Sequence, residues 1–382
     1  MLNRLAINGY RSLRDVAIEL SPVNIVTGPN GSGKSSLYRA LRLLSDVAQG
    51  RAIAALAAEG GLASTLWAGP EKISRSMRSG EHPVQGTARS APVSLKLGFS
   101  AGDFGYAIDL GLPAPSTTRF SHDPEIKVEA VWTGDTFGRA NTVASRQGTL
   151  VRVRSSETGV WRDSFSDLSP FDSMMTHCAD PDDGLELLLL RDRMSAWRFY
   201  DNLRTDIDAP ARRPQVGTFT PVLASDGSDI GAAVQTIFEI GDADTLERTI
   251  ADAFDGAELS VSDRFEVELR QHGLLRPLVA SELSDGTLRY VLLAAALLSP
   301  RPPELIILNE PESSLHSELL DPLARLLIKA SERCQIIVVS HSSRLVSELE
   351  RHPESSSIEL SKDMGETIIP VMDRPSWNWP SR

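Results

Sequence analysis

Eight consecutive residues, Gly28-Pro29-Asn30-Gly31-Ser32-Gly33-Lys34-Ser35, have the types and spacing of G-x-x-x-x-G-K-[ST]. The chemistry they suit is the capture of a polyphosphate. Glycines let successive backbone N–H groups curl into a nest for an anion, and a helix behind the loop adds the positive end of its dipole. Lys34 would reach the β- and γ-phosphates as a point charge, and the Ser35 hydroxyl, next to Ser36, would sit on Mg²⁺. A glycine-rich surface turn would show this pattern by chance in about 1% of chains of this length. Here it lies between an apolar run, Val23–Thr27, and a stretch with Leu37, Leu41 and Leu44 at helical spacing, which is the context the motif requires. The expected ligand is ATP with Mg²⁺.

Three further signals follow in the last third of the chain. Leu305 to His316, LIILNEPESSLH, reads as an apolar strand that ends in acidic residues. Such a strand brings carboxylates to the carboxyl edge of a sheet, where ligands bind, and Glu310 could there orient or deprotonate a water. Leu283-Ser284-Asp285-Gly286-Thr287-Leu288-Arg289 taken alone is a helix start capped by Ser284 or Asp285. Val338-Val339-Ser340-His341-Ser342 is a strand ending in a histidine, which by itself reads as structural. Both gain functional weight only beside the first two.

The elements that must position these residues are legible in outline. Leu2–Ile7, Ser12–Leu20 and Val23–Thr27 read as strands leading into the loop, and a helix starts behind Ser35. Strands are expected at Val93–Phe99 and Tyr106–Leu110, with more β-structure between Glu125 and Ser164. Gly184–Leu203 reads as a helix, Ile230–Phe254 as a helix broken near Gly241, and Ala257–Leu269 as a strand. Gly286–Leu298, Leu305–Leu308, Glu318–Ser331, Ile336–Val339 and Ser343–Glu350 then alternate helix and strand, the pattern of an α/β sheet covered by helices.

Composition narrows the setting. At 382 residues the chain exceeds one ordinary core, and its 41% apolar content allows a sizeable one. Cys178 and Cys334 are too few for a disulfide framework and lack zinc spacing, which fits a reducing cytoplasm. The N-terminus has no uninterrupted apolar core, and the run Val291–Leu298 is too short for a bilayer, so neither secretion nor membrane insertion is expected. A formal charge of −12 disfavours nucleic-acid affinity spread over the surface. The most basic stretch holds Arg191, Arg193, Arg198, Arg204, Arg212 and Arg213.

The order of phosphate loop, LSDG, strand with Glu-Pro, and strand with His resembles the ATP-binding-cassette class of ATPases, and within it the RecF and SMC branch. NGYRSLRDVAIEL before the loop is similar to the opening of those proteins, and WRFYDNLRTDIDAPARRPQVG, EIGD and the stretch from Arg276 to His316 resemble a bacterial family of RecF-like ATPases of about this length. The resemblance covers essentially the whole chain. It implies an α/β fold of P-loop NTPase type: an ATPase head made from 1–50 and 276–382, a β-rich lobe over 51–165 and a helical arm over 166–275. It also implies a head-to-tail homodimer, in which ATP on Gly28–Ser36 of one chain is capped by Ser284 and Gly286 of the other. His341 would contact the γ-phosphate, Arg11 would lie near the base or sugar, and Gln49 or Gln85 would link Mg²⁺ to the arm. The arm would handle DNA or a protein partner.

Where most P-loop ATPases carry Asp before the catalytic Glu, this chain carries Asn309, a metal ligand with a carbonyl oxygen and no charge. Weaker metal binding or slower turnover is expected from that exchange, because Mg²⁺ prefers charged oxygens. Two functions therefore stand beside each other. One is an ATPase coupled to DNA repair, recombination or anti-phage defence. The other is a slowly hydrolysing scaffold that gates a separate effector such as a nuclease. A transporter ATPase shares the site, but about 250 residues between Ser35 and Leu283 exceed what such a compact subunit needs.

Overall fold

Alternation decides the first strands. Leu5 and Ile7 of β1 (Arg4–Tyr10) stand opposite Ile18 and Val16 of β2 (Leu13–Glu19) in antiparallel register, and all four are buried. These and the following elements are seen in a computed structural model. It describes residues 1–382 apart from 72, 80, 82–91, 116–118, 156–157, 180–183 and 371–374. The chain divides into two units, one of Met1–Leu20, Gly28–Ala196 and Ile358–Arg382, the other of Ser21–Thr27 and Trp197–Ser357. The strand β3 (Val23–Thr27) thus belongs to the second unit, and Gly28 opens the long segment of the first.

In the first unit, α1 (Lys34–Ala48) buries Leu37, Leu41 and Leu44, the spacing that predicts it. The short helices α2 (Ala52–Ala58), α3 (Leu62–Thr65) and α4 (Arg75–Arg78) follow. Next come β4 (Leu95–Ser100), β5 (Phe104–Gly111), β6 (Glu125–Thr133), β7 (Thr142–Gln147), β8 (Leu150–Arg154) and β9 (Trp161–Phe165). They join β1 and β2 in an eight-stranded sheet of order β2-β1-β4-β5-β6-β7-β8-β9. The helices α5 (Met174–His177) and α6 (Leu185–Ala196) belong to the same unit.

A fully buried ion pair pins this sheet. Glu129 accepts from Arg146 at 3.1 Å, from Tyr106 Oη at 2.7 Å and from Met174 N at 2.9 Å, and Arg146 also donates to the carbonyls of Gly148 and Ser169. Arg146→Met leaves Glu129 buried without its counter-charge, so a loss of about 3–5 kcal/mol is expected. A urea midpoint that did not move would show that the sheet stands without the pair.

The second unit is built on a five-stranded sheet. After β10 (Arg198–Tyr200) come α7 (Ile230–Ile240) and α8 (Ala243–Ala253), then the small sheet of β11 (Glu258–Val261), β12 (Val267–Arg270) and β13 (Leu278–Val279). They are followed by α9 (Asp285–Leu297), β14 (Leu305–Asn309), α10 (Leu320–Ser331), β15 (Gln335–Val339), α11 (Ser343–Glu350) and β16 (Ser355–Glu359). The order is β10-β14-β15-β3-β16, and the first four strands run parallel. From Tyr290 to Leu297 helix α9 is apolar on all sides and is buried with Ile306, Leu308, Ile336 and Val338 in one core. Among the described residues, no helix is long and apolar enough to cross a membrane.

Three expectations change. The helix foreseen over Gly184–Leu203 ends at Ala196, and Arg198–Tyr200 instead pairs in parallel with Ile306–Leu308 as an edge strand. Its aromatic residues suit a pleated surface, and the distant strand that recruits them is invisible to local periodicity. The strand foreseen over Ala257–Leu269 is a hairpin, folded between β11 and β12 at a turn where Phe265 has φ 54°. The arginine-rich stretch is charge-compensated: Arg191, Arg193, Arg204, Arg212 and Arg213 pair with Asp192, Asp103, Asp206, Asp285 and Asp208.

Candidate active site

The glycine loop begins where β3 ends. Gly28 has φ 138°, and a Cβ there would lie 2.1 Å from the carbonyl oxygen of Leu360. Gly33 has φ 115°, and a Cβ there would lie 2.3 Å from Thr367 Oγ1. Both positions therefore need glycine for conformation and for space. Lys34 is 6% exposed, and its ammonium donates to the carbonyls of Gly28 at 2.6 Å and Pro29 at 3.0 Å. Gly33 is the N-cap of α1 and supplies no side-chain acceptor to its first turn. Pro29, Asn30, Gly31 and Ser35 are exposed, and Ser36 is half-buried behind them. Uncapped helix, lysine and open loop together fit a phosphate chain.

Arg11 stands in the β1–β2 turn with φ 49°. Its guanidinium is held by Glu59 at 2.6 Å, and Tyr10 donates to the same carboxylate at 2.8 Å. Burial first, and the Glu59 carboxylate second, push the Tyr10 phenol well above its ordinary range, so it stays a donor. Gln49 sits at the far end of α1 from Lys34 and bonds Ser45, while Gln85 lies outside the described residues.

In the second unit the register sets Asn309 beside Val339, and Val339 beside Val26. The carboxyl ends of β14, β15 and β3 therefore lie in a row. Glu310 follows with φ 48°, a conformation that costs about 1–3 kcal/mol in a residue with a side chain. Its backbone is held there by three contacts: its N–H donates to Val339 O at 2.8 Å, and its carbonyl accepts from Ser313 N at 3.0 Å and from Arg289 of α9 at 3.1 Å. Arg289 also reaches Leu203 O at 3.1 Å, and burial lowers the pKa of its guanidinium. The Glu310 carboxylate and the His341 ring approach to 3.5 Å, both about half exposed.

Glu312 is the residue that motif reasoning misses. Its Oε1 accepts from Ser340 Oγ at 2.7 Å, His341 N at 2.8 Å and Ser342 N at 3.1 Å, which fixes the loop that presents the histidine. Its position two residues past Glu310 in the same acidic turn is the signal that could have found it.

Ser284 caps α9 by accepting from Thr287 N at 3.1 Å, as its local reading requires. A Cβ on Gly286 would lie 2.8 Å from Ser314 O, so the helix start rests on the turn after β14. Arg212, almost wholly buried, draws the segment together through Leu283 O at 2.8 Å, Ala280 O at 3.0 Å and Asp285 at 2.7 Å. Ser35 in the first unit and Asn309 in the second each carry a neutral oxygen of the kind Mg²⁺ accepts beside phosphates. No cluster of three or more His, Cys, Asp or Glu suited to a metal occurs among the described residues.

The profile of a family described as "AAA domain, putative AbiEii toxin, Type IV TA system" matches residues 23–347. An OLD nuclease of Thermus scotoductus is 44% identical over 48 residues, which make up 12% of this chain and 9% of that relative. Among solved structures, an Smc head bound to the C-winged helix domain of ScpA superposes with a TM-score of 0.51 at 14% identity, over 96% of this chain and 97% of that one. The SMC head domain of Thermotoga maritima shares 17% identity over 97% of this chain and 99% of its own, with a TM-score of 0.46.

Proposed function

The chain belongs to the AAA_21 family of AAA domains and has the fold of a P-loop ATPase head, and on that footing we propose that it is a RecF- and SMC-like ATPase that binds and hydrolyses ATP with Mg²⁺. The observation that carries the reading is the shared carboxyl edge of three parallel strands. There β3 runs into Gly28, β14 ends in Asn309 and Glu310, and β15 leads to His341. Gly28–Ser36 hold the phosphates, Ser35 and Asn309 take the metal, Glu310 accepts the proton of the attacking water, and His341 steadies the γ-phosphate. Bound Mg²⁺ supplies charge neutralisation of the phosphates. Ser284 and Gly286 serve a second copy in a head-to-tail dimer, with Arg11, released from Glu59, near the base or sugar.

The work coupled to this cycle is DNA repair, recombination or anti-phage defence in the cytoplasm. Measuring ATPase rate and oligomeric state together, with and without single- and double-stranded DNA at low salt, tests it. Turnover, an ATP-dependent dimer and ATP-dependent DNA retention are the expected results. DNA that is never retained would remove the DNA half of the reading.

Two observations favour a second reading, a slow nucleotide-gated scaffold for an effector protein. Asn309 leaves the metal without a charged ligand on β14, and Arg193, Arg204, Arg212 and Arg213 of the most basic stretch are paired with aspartates. Brisk turnover by the isolated chain would end that alternative.

A further inference from the structure

The chain past His341 carries no motif, yet it reaches the phosphate loop. Its hairpin of β17 (Ser361–Asp363) and β18 (Glu366–Ile368) places Thr367, 3% exposed, with Oγ1 at 2.7 Å from Ser32 O and 2.8 Å from Ser12 Oγ. Thr367 N also donates to Ser12 O at 2.8 Å. We propose that Thr367 is a positioning residue that sets the phosphate loop in its anion-binding shape. This rests on the reading of Gly28–Ser36 as the cradle for ATP and names what holds the cradle.

The direction of the hydrogen bonds follows from valence. A hydroxyl has one proton, and the Ser32 carbonyl can only accept. Thr367 therefore donates to Ser32 O, and the Ser12 hydroxyl donates to Thr367. In a trans peptide the C=O and the following N–H lie in one plane and point in opposite directions across the C–N bond. Fixing Ser32 C=O on the hairpin therefore directs Gly33 N–H away from Thr367 and holds it as a donor for an anion. The glycines admit this approach, since a Cβ on Gly33 would meet Thr367 Oγ1 and one on Gly28 would meet Leu360 O, just before β17. The hairpin is itself anchored to the first strands, with Arg14 bound to Glu366 at 3.2 Å. Without Thr367's proton, the Ser32–Gly33 peptide has lost its outer restraint and can rotate, and the nest loses a donor in a fraction of molecules.

Thr367→Val keeps the shape and removes the proton, Thr367→Ser keeps the proton, and Ser12→Ala removes the donor behind it. ATP affinity by calorimetry, KM and kcat, and thermal unfolding without nucleotide are measured on the full chain. Thr367→Val is expected to weaken ATP binding about tenfold, as a rise in KM larger than any fall in kcat. Thr367→Ser should return affinity to within about twofold of wild type, and Ser12→Ala should show a smaller loss in the same direction. Thr367→Val binding like wild type, or Thr367→Ser falling as far as Thr367→Val, would overturn the proposal. Should Thr367→Val fail to fold, Ser12→Ala decides, and an unchanged affinity there overturns it. Lys34→Ala separates the two layers of the argument. If wild type binds ATP no better than Lys34→Ala, the cradle reading falls and takes this one with it; if wild type binds and Thr367→Val matches it, only the role of Thr367 falls.

Discussion

Lys34→Ala is expected to weaken ATP binding by a factor on the order of 10²–10³ and to bring turnover below detection. The ammonium is almost buried and donates to two carbonyls of its own loop, Gly28 at 2.6 Å and Pro29 at 3.0 Å. A triphosphate offers it charged acceptors in place of neutral ones, a stronger bond, and in a site shielded from water the gain is larger than in bulk. Alanine removes the charge and also the tie between the loop's carbonyls, so a stability loss of about 1 kcal/mol should accompany the loss of affinity. Lys34→Arg separates the two effects. It keeps the charge but replaces a compact point donor by a planar fork, and should still bind ATP poorly. Calorimetric titration with ATP, with unfolding curves as control, reads both. Binding by Lys34→Ala within about threefold of wild type would mean that this loop does not hold the phosphates.

The loop was legible because its chemistry is local. Eight contiguous residues carry it, and the apolar runs of β3, β14 and β15 with the helices behind them announce the α/β core. The break at Gly241 between α7 and α8 and the span of α11 were equally readable from short-range pattern. What supports the loop was not. Thr367 lies 335 residues from Ser32, and nothing about an isolated threonine near the C-terminus marks it as a partner of a carbonyl so far away. Arg289 and Glu312 sit inside recognisable motifs, but their work of clamping Glu310 and presenting His341 depends on how α9, β14 and β15 pack. The stretch Arg191–Arg213 shows the opposite failure. Its composition suggests a basic face, whereas the fold places an aspartate beside five of its six arginines, and a count of charges does not see pairing.

Glu310→Gln is the second large effect, and it should divide binding from chemistry. The carboxylate is 3.5 Å from the His341 ring and about half exposed, within reach of a water, and its backbone is held in the left-handed region by Arg289 and Val339. Glutamine keeps the volume and the hydrogen-bonding reach but cannot take a proton at neutral pH. A fall in kcat of roughly 10²–10⁴-fold with ATP affinity preserved is therefore expected. If ATP draws two chains together and hydrolysis releases them, the same variant should accumulate as an ATP-bound dimer, visible by light scattering at concentrations where wild type returns to monomer. Asn309 gives this variant its discriminating power. With a neutral metal ligand, a slow wild type is consistent with either of two causes, a weakly held Mg²⁺ or the absence of a working base. Raising Mg²⁺ should speed wild type in the first case and leave Glu310→Gln slow in both. A wild type that is no faster than Glu310→Gln at saturating Mg²⁺ would mean that Glu310 is not the base, and the chain would then act through ATP binding alone.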